Sequence, residues 1–155
     1  MTLLEVPWAD ARAEALRTAM NLETSAMYQQ FVAGRSPEER SAMDSALAVD
    51  PAAITYTVIA LDGDQPVGHA ALRPEVSTNS IRLEVKKVFV APEARGRGIS
   101  RVLMEHLEDV ARERGIRSLV LQTGVLQVPA IALYTSMGYV AIPPCGAYTA
   151  APGAP

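Results

Sequence analysis

Cysteine and histidine are scarce in this chain, and each shortage removes a class of function. Cys145 is the single cysteine among 155 residues, so no internal disulfide can form, and the composition suits a reducing, cytoplasmic setting. With only His69 and His106 beside it, the usual ligands are too few for an ordinary zinc site, and no metal is expected. No apolar run approaches the ~20 residues of a membrane span. The start, Met1-Thr2-Leu3-Leu4-Glu5-Val6-Pro7, has neither the basic beginning nor the apolar stretch of a signal peptide. Basic residues are not in excess either. A formal net charge of −3 argues against a general nucleic-acid binder. The acidity fits a cationic substrate such as an amine, or solubility alone.

What is present is a 49% apolar chain of a length that suits one compact domain, residues 1–155. Leu3 to Val6 reads as a short strand, and Asp10 to about Tyr28 as a helix. Ser36-Pro37-Glu38-Glu39 opens a second helix: Ser36 caps, Pro37 suits the first position and Glu39 completes a capping box. That helix stops before Asp50-Pro51. Ile54–Leu61 and Pro66–Leu72 form a hairpin around Asp62-Gly63-Asp64, and a polar loop from Pro74 to Ser80 leads to a strand over Ile81–Val90. In a third helix, Ile99, Val102, Leu103, Leu107, Val110 and Ala111 make one apolar face, with Gly115 at its end. Ser118–Gln122 reads as a strand, Pro129–Met137 as a short helix, and Tyr139–Ile142 as one more strand.

The chemistry lies in Val88-Phe89-Val90-Ala91-Pro92-Glu93-Ala94-Arg95-Gly96-Arg97-Gly98-Ile99-Ser100-Arg101. A helix N-terminus leaves backbone N–H groups unpaired and carries partial positive charge. Most helices answer with an acid in the first turn. Here the first acid after Gly98 is Glu105, and Arg95, Arg97 and Arg101 crowd the start. Gly96 and Gly98 remove the side chains that would hold an anion away from the backbone. The combination reads as a phosphate cradle, the alternative being a solvated, basic helix start whose glycines serve a turn. It is not a Walker loop, which needs a Gly-Lys-Ser/Thr ending. Nor is it a dinucleotide fingerprint, whose third glycine would fall at Arg101.

Arg95-Gly96-Arg97-Gly98-Ile99-Ser100 resembles the Gln/Arg-x-x-Gly-x-Gly/Ala signature of the GNAT superfamily of N-acetyltransferases, with Ser100 at the last position. Downstream, Gln127-Val128-Pro129-Ala130-Ile131-Ala132-Leu133-Tyr134-Thr135-Ser136-Met137-Gly138-Tyr139 is similar to the family's Asn-x-x-Ala-x-x-Leu-Tyr-x-x-x-Gly-Phe/Tyr segment, with Gln127 in place of Asn. The resemblance covers about residues 81–142. It implies an α/β (α+β) GNAT fold: a mixed, mostly antiparallel twisted sheet of about six strands, flanked by about four helices and splayed between strands four and five. It further implies acetyl-CoA as co-substrate, with pantetheine between Ile81–Val90 and Ser118–Gln122. Main-chain groups of Val88, Phe89 and Val90 would pair with that arm, and an N–H near Val88 would polarise the thioester carbonyl. Backbone N–H groups from Arg95 through Gly96, Arg97, Gly98, Ile99 and Ser100 to Arg101 would hold the pyrophosphate, and Gln127 would contribute to the same cofactor.

By the same resemblance, Tyr134 contacts the cofactor sulfur and is the candidate general acid. Glu84, eleven positions before Arg95, is the candidate base; the alternatives are water as the base and a Glu84 that is simply a charged strand residue paired with Lys86 or Lys87. Strand alternation places Glu84, Lys86, Val88 and Val90 on one face. Glu23, Tyr28 and Arg73 are candidates for the acceptor site, Met20 and Met27 for the core, and His69 and His106 for structural roles. The implied reaction is acetyl transfer from acetyl-CoA to a primary amine, on a small molecule or a peptide, by direct attack in a ternary complex. The alternatives are a CoA-binding sensor domain without turnover and an enzyme using another acyl-CoA. Pro143-Pro144-Cys145-Gly146-Ala147-Tyr148 and the Ala/Pro/Gly tail do not suit the family's last strand. A sheet edge left open there would favour a homodimer.

Overall fold

The computed structural model describes residues 1–75, 81–145 and Tyr148. The loop expected up to Ser80 and the frayed tail expected over 146–155 therefore lie outside the described residues, apart from their first residues and Tyr148. Five strands form one sheet in the order β1 (Thr2–Glu5), β2 (Tyr56–Asp62), β3 (Gln65–Glu75), β4 (Arg82–Val90), β5 (Leu119–Leu121). The first four are antiparallel neighbours and β4 pairs parallel with β5. The helices are α1 (Ala11–Ala33), α2 (Pro37–Leu47), α3 (Ile99–Glu113) and α4 (Val128–Ser136). Among the described residues the mixed, mostly antiparallel sheet with four helices is as expected, with five strands rather than about six. Tyr139–Ile142 is not a strand. Val140 is 80% exposed and Ile142 50%, so neither has a neighbouring strand to pack on.

Local chemistry sets the helix starts. Asp10 caps α1 by accepting from the N–H groups of Arg12 and Ala13. Ser36 and Glu39 form the reciprocal capping box of α2, satisfying two otherwise orphan N–H groups. The sheet then divides the core. On one face, Ile99, Leu103, Met104, Leu107, Val110 and Ala111 of α3 pack against Val58, Ala60, Ala70, Leu72, Leu83 and Val85. Met104 takes the fully buried place expected for Val102, which is only partly covered. Gly68 permits this approach: a Cβ there would lie 3.0 Å from Leu103 Cδ1 and 3.1 Å from Ile99 Cγ2. On the other face, Ala13 and Leu16 of α1 meet Val6, Ile59, Phe89 and Ala91. Met20 packs at the margin of this cluster, whereas Met27, expected in the core, is 41% exposed.

One irregularity shapes everything near the cleft. The β3–β4 register slips by one residue between His69 and Ala71, and Lys87, on the opposing strand, has φ +56°. An extra residue in one strand reverses the alternation beyond it. Leu83 and Val85 face α3 before the bulge, and Val88 and Val90 pack on that same cluster after it. Glu84 and Lys86 lie on the opposite face, where Phe89 joins the α1 cluster. The single face expected for Glu84, Lys86, Val88 and Val90 is thus broken in two by the bulge at Lys87.

Candidate active site

Strands β4 and β5 part company early. Their parallel pairing covers only Leu83–Val85 against Leu119–Leu121, while β4 runs on to Val90. Beyond the fork, on the side of α1 and α2, lies a cleft of about 640 Å³. Lys86 and Lys87 line it from β4, Gln122, Thr123 and Gln127 from the β5–α4 connection, Tyr28 and Asn21 from α1, and Arg40 and Asp44 from α2. Crevices outside the carboxyl ends of parallel strands are the general binding place of such sheets.

Downstream of β4, a short connection leads to the start of α3. Gly98 is its N-cap at φ +75°, no side chain caps it, and its first turn carries no acid. Gly96 has φ +76°, and a Cβ at either glycine would meet no atom within 4 Å, so the backbone here is open. The arginines are held loosely. Arg95 pairs with Glu23 at 2.6 Å and Arg97 with Asp62 at 2.6 Å, with both arginine side chains about half exposed. Such surface pairs contribute about 0–1 kcal/mol each, so a phosphate can displace either carboxylate. Arg101 donates to Ser136 Oγ at 2.6 Å and ties α3 to α4. Glu23, expected near the acceptor, serves Arg95 instead. Arg95 Nε also donates to the Val90 carbonyl at 3.1 Å, occupying one main-chain group expected to pair with pantetheine.

Tyr134 packs from α4 against the α3-side core and does not line the cleft. Its hydroxyl makes no hydrogen bond to a described residue, and burial pushes its pKa up to about 12. Gln127 lines the cleft, its side-chain oxygen accepting from Thr123 Oγ1 at 3.2 Å. Tyr28 is buried, and its hydroxyl accepts from Leu126 N–H at 3.0 Å, fixing the β5–α4 connection at the cleft wall.

Glu84 is 4% exposed and fully engaged. One carboxylate oxygen accepts from Arg73 Nε at 2.7 Å; the other accepts from Lys86 Nζ at 3.4 Å and from the Tyr148 hydroxyl. Lys86 also donates to the Tyr148 oxygen at 2.6 Å. Neither Glu84 nor Arg73 lines the cleft; Lys86 lies between them and it. The pairing of Glu84 with Lys86 was legible in the sequence as the alternative to a base; the closure by Tyr148 was not, because Tyr148 is far away in the chain.

The two histidines are structural. His106 meets the Tyr56 hydroxyl at 2.7 Å. His69, fully buried, donates from Nδ1 to the Lys87 carbonyl at 2.8 Å and accepts at Nε2 from Arg17 at 3.1 Å. The carbonyl can only accept and the guanidinium can only donate, so the neutral Nδ1–H tautomer is fixed. Arg17 in turn stacks over Trp8, 3.7 Å from the ring centroid. His69 therefore pins the bulge that orients Lys86 and Lys87. Burial, reinforced by Arg17 and Lys87, holds its pKa down to about 4. The unfolded chain then binds the extra proton first as pH falls. The stability His69 contributes is complete above its ordinary pKa and is lost between about 6.5 and 4. We expect a loss of about 2 kcal/mol between pH 7 and pH 5, read by urea unfolding. His69→Gln, which keeps a donor for the Lys87 carbonyl and cannot titrate, should remove most of that slope; an equal slope in both proteins would place it elsewhere.

An open sheet forked between parallel strands, with an uncapped, arginine-flanked helix start downstream of β4, is the architecture of acyl-CoA-dependent acyltransferases. Residues 16–139 match the acetyltransferase (GNAT) family, and the chain belongs to it. It is 49% identical over 65 residues to the IAA acetyltransferase of Azospirillum brasilense, covering 42% of each chain. It is 41% identical over 96 residues to the streptothricin acetyltransferase of Streptomyces lavendulae, covering 62% of this chain and 49% of that one. The chain thus spans half or less of the length of these relatives. In fold it is similar to an aminoglycoside N-acetyltransferase solved in complex with CoA, with a TM-score of 0.64 at 14% identity over 92% of this chain and 94% of that one. Among the described residues no helix is long and apolar enough to cross a membrane, and no group of His, Cys, Asp and Glu gathers as a metal site.

Proposed function

We propose that this chain is an N-acetyltransferase that moves the acetyl group of acetyl-CoA to a primary amine held in the cleft beneath α1 and α2. The observation that carries the reading is the uncapped, open-backbone start of α3 that follows β4 after that strand has run past its pairing with β5. The first-turn N–H groups and Arg97, with Arg95 released from Glu23, suit a pyrophosphate. The free β4 edge beyond Val85 offers main-chain groups to the pantetheine amides, and an N–H near Val88 suits the thioester oxygen as charge develops on it.

Tyr134 supplies the proton. Its phenol has no competing partner and stays protonated across the neutral range, as donation to a departing thiolate requires. The amine nitrogen forms the new C–N bond, the C–S bond breaks, the sulfur receives the Tyr134 proton, and the proton that the nitrogen sheds on becoming an amide returns through water to the Tyr134 oxygen. The base assignment follows the saturation of Glu84: with Arg73, Lys86 and Tyr148 on its oxygens, its role is to hold Lys86, and cleft water takes the ammonium proton. Glu84→Gln should accordingly leave the acidic limb of the pH–rate profile in place.

Relatives named for IAA and streptothricin support a small-molecule acceptor. The single cysteine is compatible with a reducing, cytoplasmic setting. A homodimer is supported by the outer edge of β5, unpaired among the described residues, beside exposed Val125, Leu126, Val128, Ile131 and Val140. The reading is tested by calorimetric titration with acetyl-CoA and NAD, followed by thiol release with an amine panel. Acetyl-CoA binding without NAD binding, and amine-dependent thiol release, are expected. Binding without turnover on any amine would make the chain a CoA sensor.

A further inference from the structure

The chain is acidic overall, yet the floor of its cleft is not. Lys86 and Lys87 line it from β4, with Arg17 and Arg73 close behind them. The carboxylate within this group is Glu84, already shared between Arg73 and Lys86. Glu14 lies near Arg17 from the exposed side of α1, and Asp44 stands at the exposed rim, one turn from Arg40. Lys87 lines the cleft with no carboxylate partner among the described residues. It is half-buried, and the one hydrogen-bond partner of its Nζ among the described residues is the neutral amide of Asn21, at 3.2 Å. Burial and the neighbouring Arg17 both lower its pKa, the response of a cation that lacks a counter-ion. Partly buried cations without a counter-ion are costly unless an anion completes them. The α3 start, which suits the CoA phosphates, contributes no residue to this cleft.

Resting on the acyl-transfer reading above, we infer that the acceptor is an amine bearing a carboxylate, of the amino-acid type, and that Lys87, supported by Asn21 and Lys86, binds that carboxylate. The arrangement serves the chemistry twice. The anion anchors the acceptor beside the fork, and the lysines disfavour the ammonium form of the nearby nitrogen, so the free nucleophile forms more readily. A polycation would meet the same lysines as repulsion.

The test compares α-amino acids with their α-carboxamides as acceptors for acetyl-CoA, using the full chain. Carboxamide amines are the less basic, so free-amine supply alone would favour them. We expect kcat/KM to favour the acids by about tenfold or more, chiefly through KM. Lys87→Asn keeps a residue tolerant of the left-handed backbone and removes the charge; it should bring the ratio near unity while leaving acetyl-CoA affinity within about twofold. Lys87→Arg should retain the preference. A second readout does not need turnover: N-acetyl amino acids should bind more tightly by calorimetry than N-acetyl amino acid amides, and Lys87→Asn should erase the difference. Equal use and equal binding of acid and amide, or equal loss on both in Lys87→Asn, would overturn the proposal. So would succinyl-CoA outperforming acetyl-CoA in a Lys87-dependent way, since the carboxylate would then belong to the donor. Failure of acetyl-CoA to bind at all would instead remove the acyl-transfer reading, and the product-binding comparison would still report on Lys87.

Discussion

Gly98→Asp should weaken acetyl-CoA binding about 100-fold or more, close to 3 kcal/mol, while the protein stays folded. The position has room: a Cβ at Gly98 meets no atom within 4 Å. The backbone cost of a non-glycine residue at φ +75° is about 1–2 kcal/mol, partly offset by a carboxylate at a helix N-terminus. That carboxylate would occupy the place of the pyrophosphate and repel it. Gly98→Asn separates the two effects, because Asn tolerates the same backbone without the charge. It should cost less than about tenfold in affinity. If calorimetry gave the two variants equal affinities, or left Gly98→Asp unchanged, the α3 start would be an ordinary exposed helix end.

The second large effect belongs to Tyr134. Removing its hydroxyl in Tyr134→Phe should lower kcat about a hundredfold or more, with the acetyl-CoA Kd within about threefold. The substitution is clean because the hydroxyl has no hydrogen-bond partner among the described residues, so stability should barely move. The pKa near 12 adds a sign: the proton stays in place as pH rises, so Tyr134 produces no fall in kcat until strongly alkaline conditions. A variant that lost cofactor affinity while keeping kcat would assign Tyr134 to packing.

The fold was largely legible because its signals are local. Asp10, and Ser36 with Glu39, cap their helices through groups two or three residues away. The α3 face repeats at helical spacing, and Arg95 to Ser100 form a contiguous motif. The errors arose where distant chain segments decide. Tyr139–Ile142 has strand composition, but a strand exists only where a neighbour pairs with it, and none does among the described residues. Met27 has an apolar side chain at a helical position, yet the fold leaves it 41% exposed. Glu84 was singled out by its distance to Arg95, which says nothing of Arg73 and Tyr148 closing over its oxygens.

The sequence by itself determined the family, the helix start that suits a phosphate and the tyrosine that suits a leaving thiolate, because each depends on residues within about one helical turn of one another. Only the tertiary structure decided which way β4 turns its charges. A one-residue bulge at Lys87, pinned by His69 from the next strand, reverses the strand's faces and leaves the lysines on the cleft floor. Alternation along a strand is a local rule, whereas register is fixed between strands, and here the charge of the cleft floor depends on register.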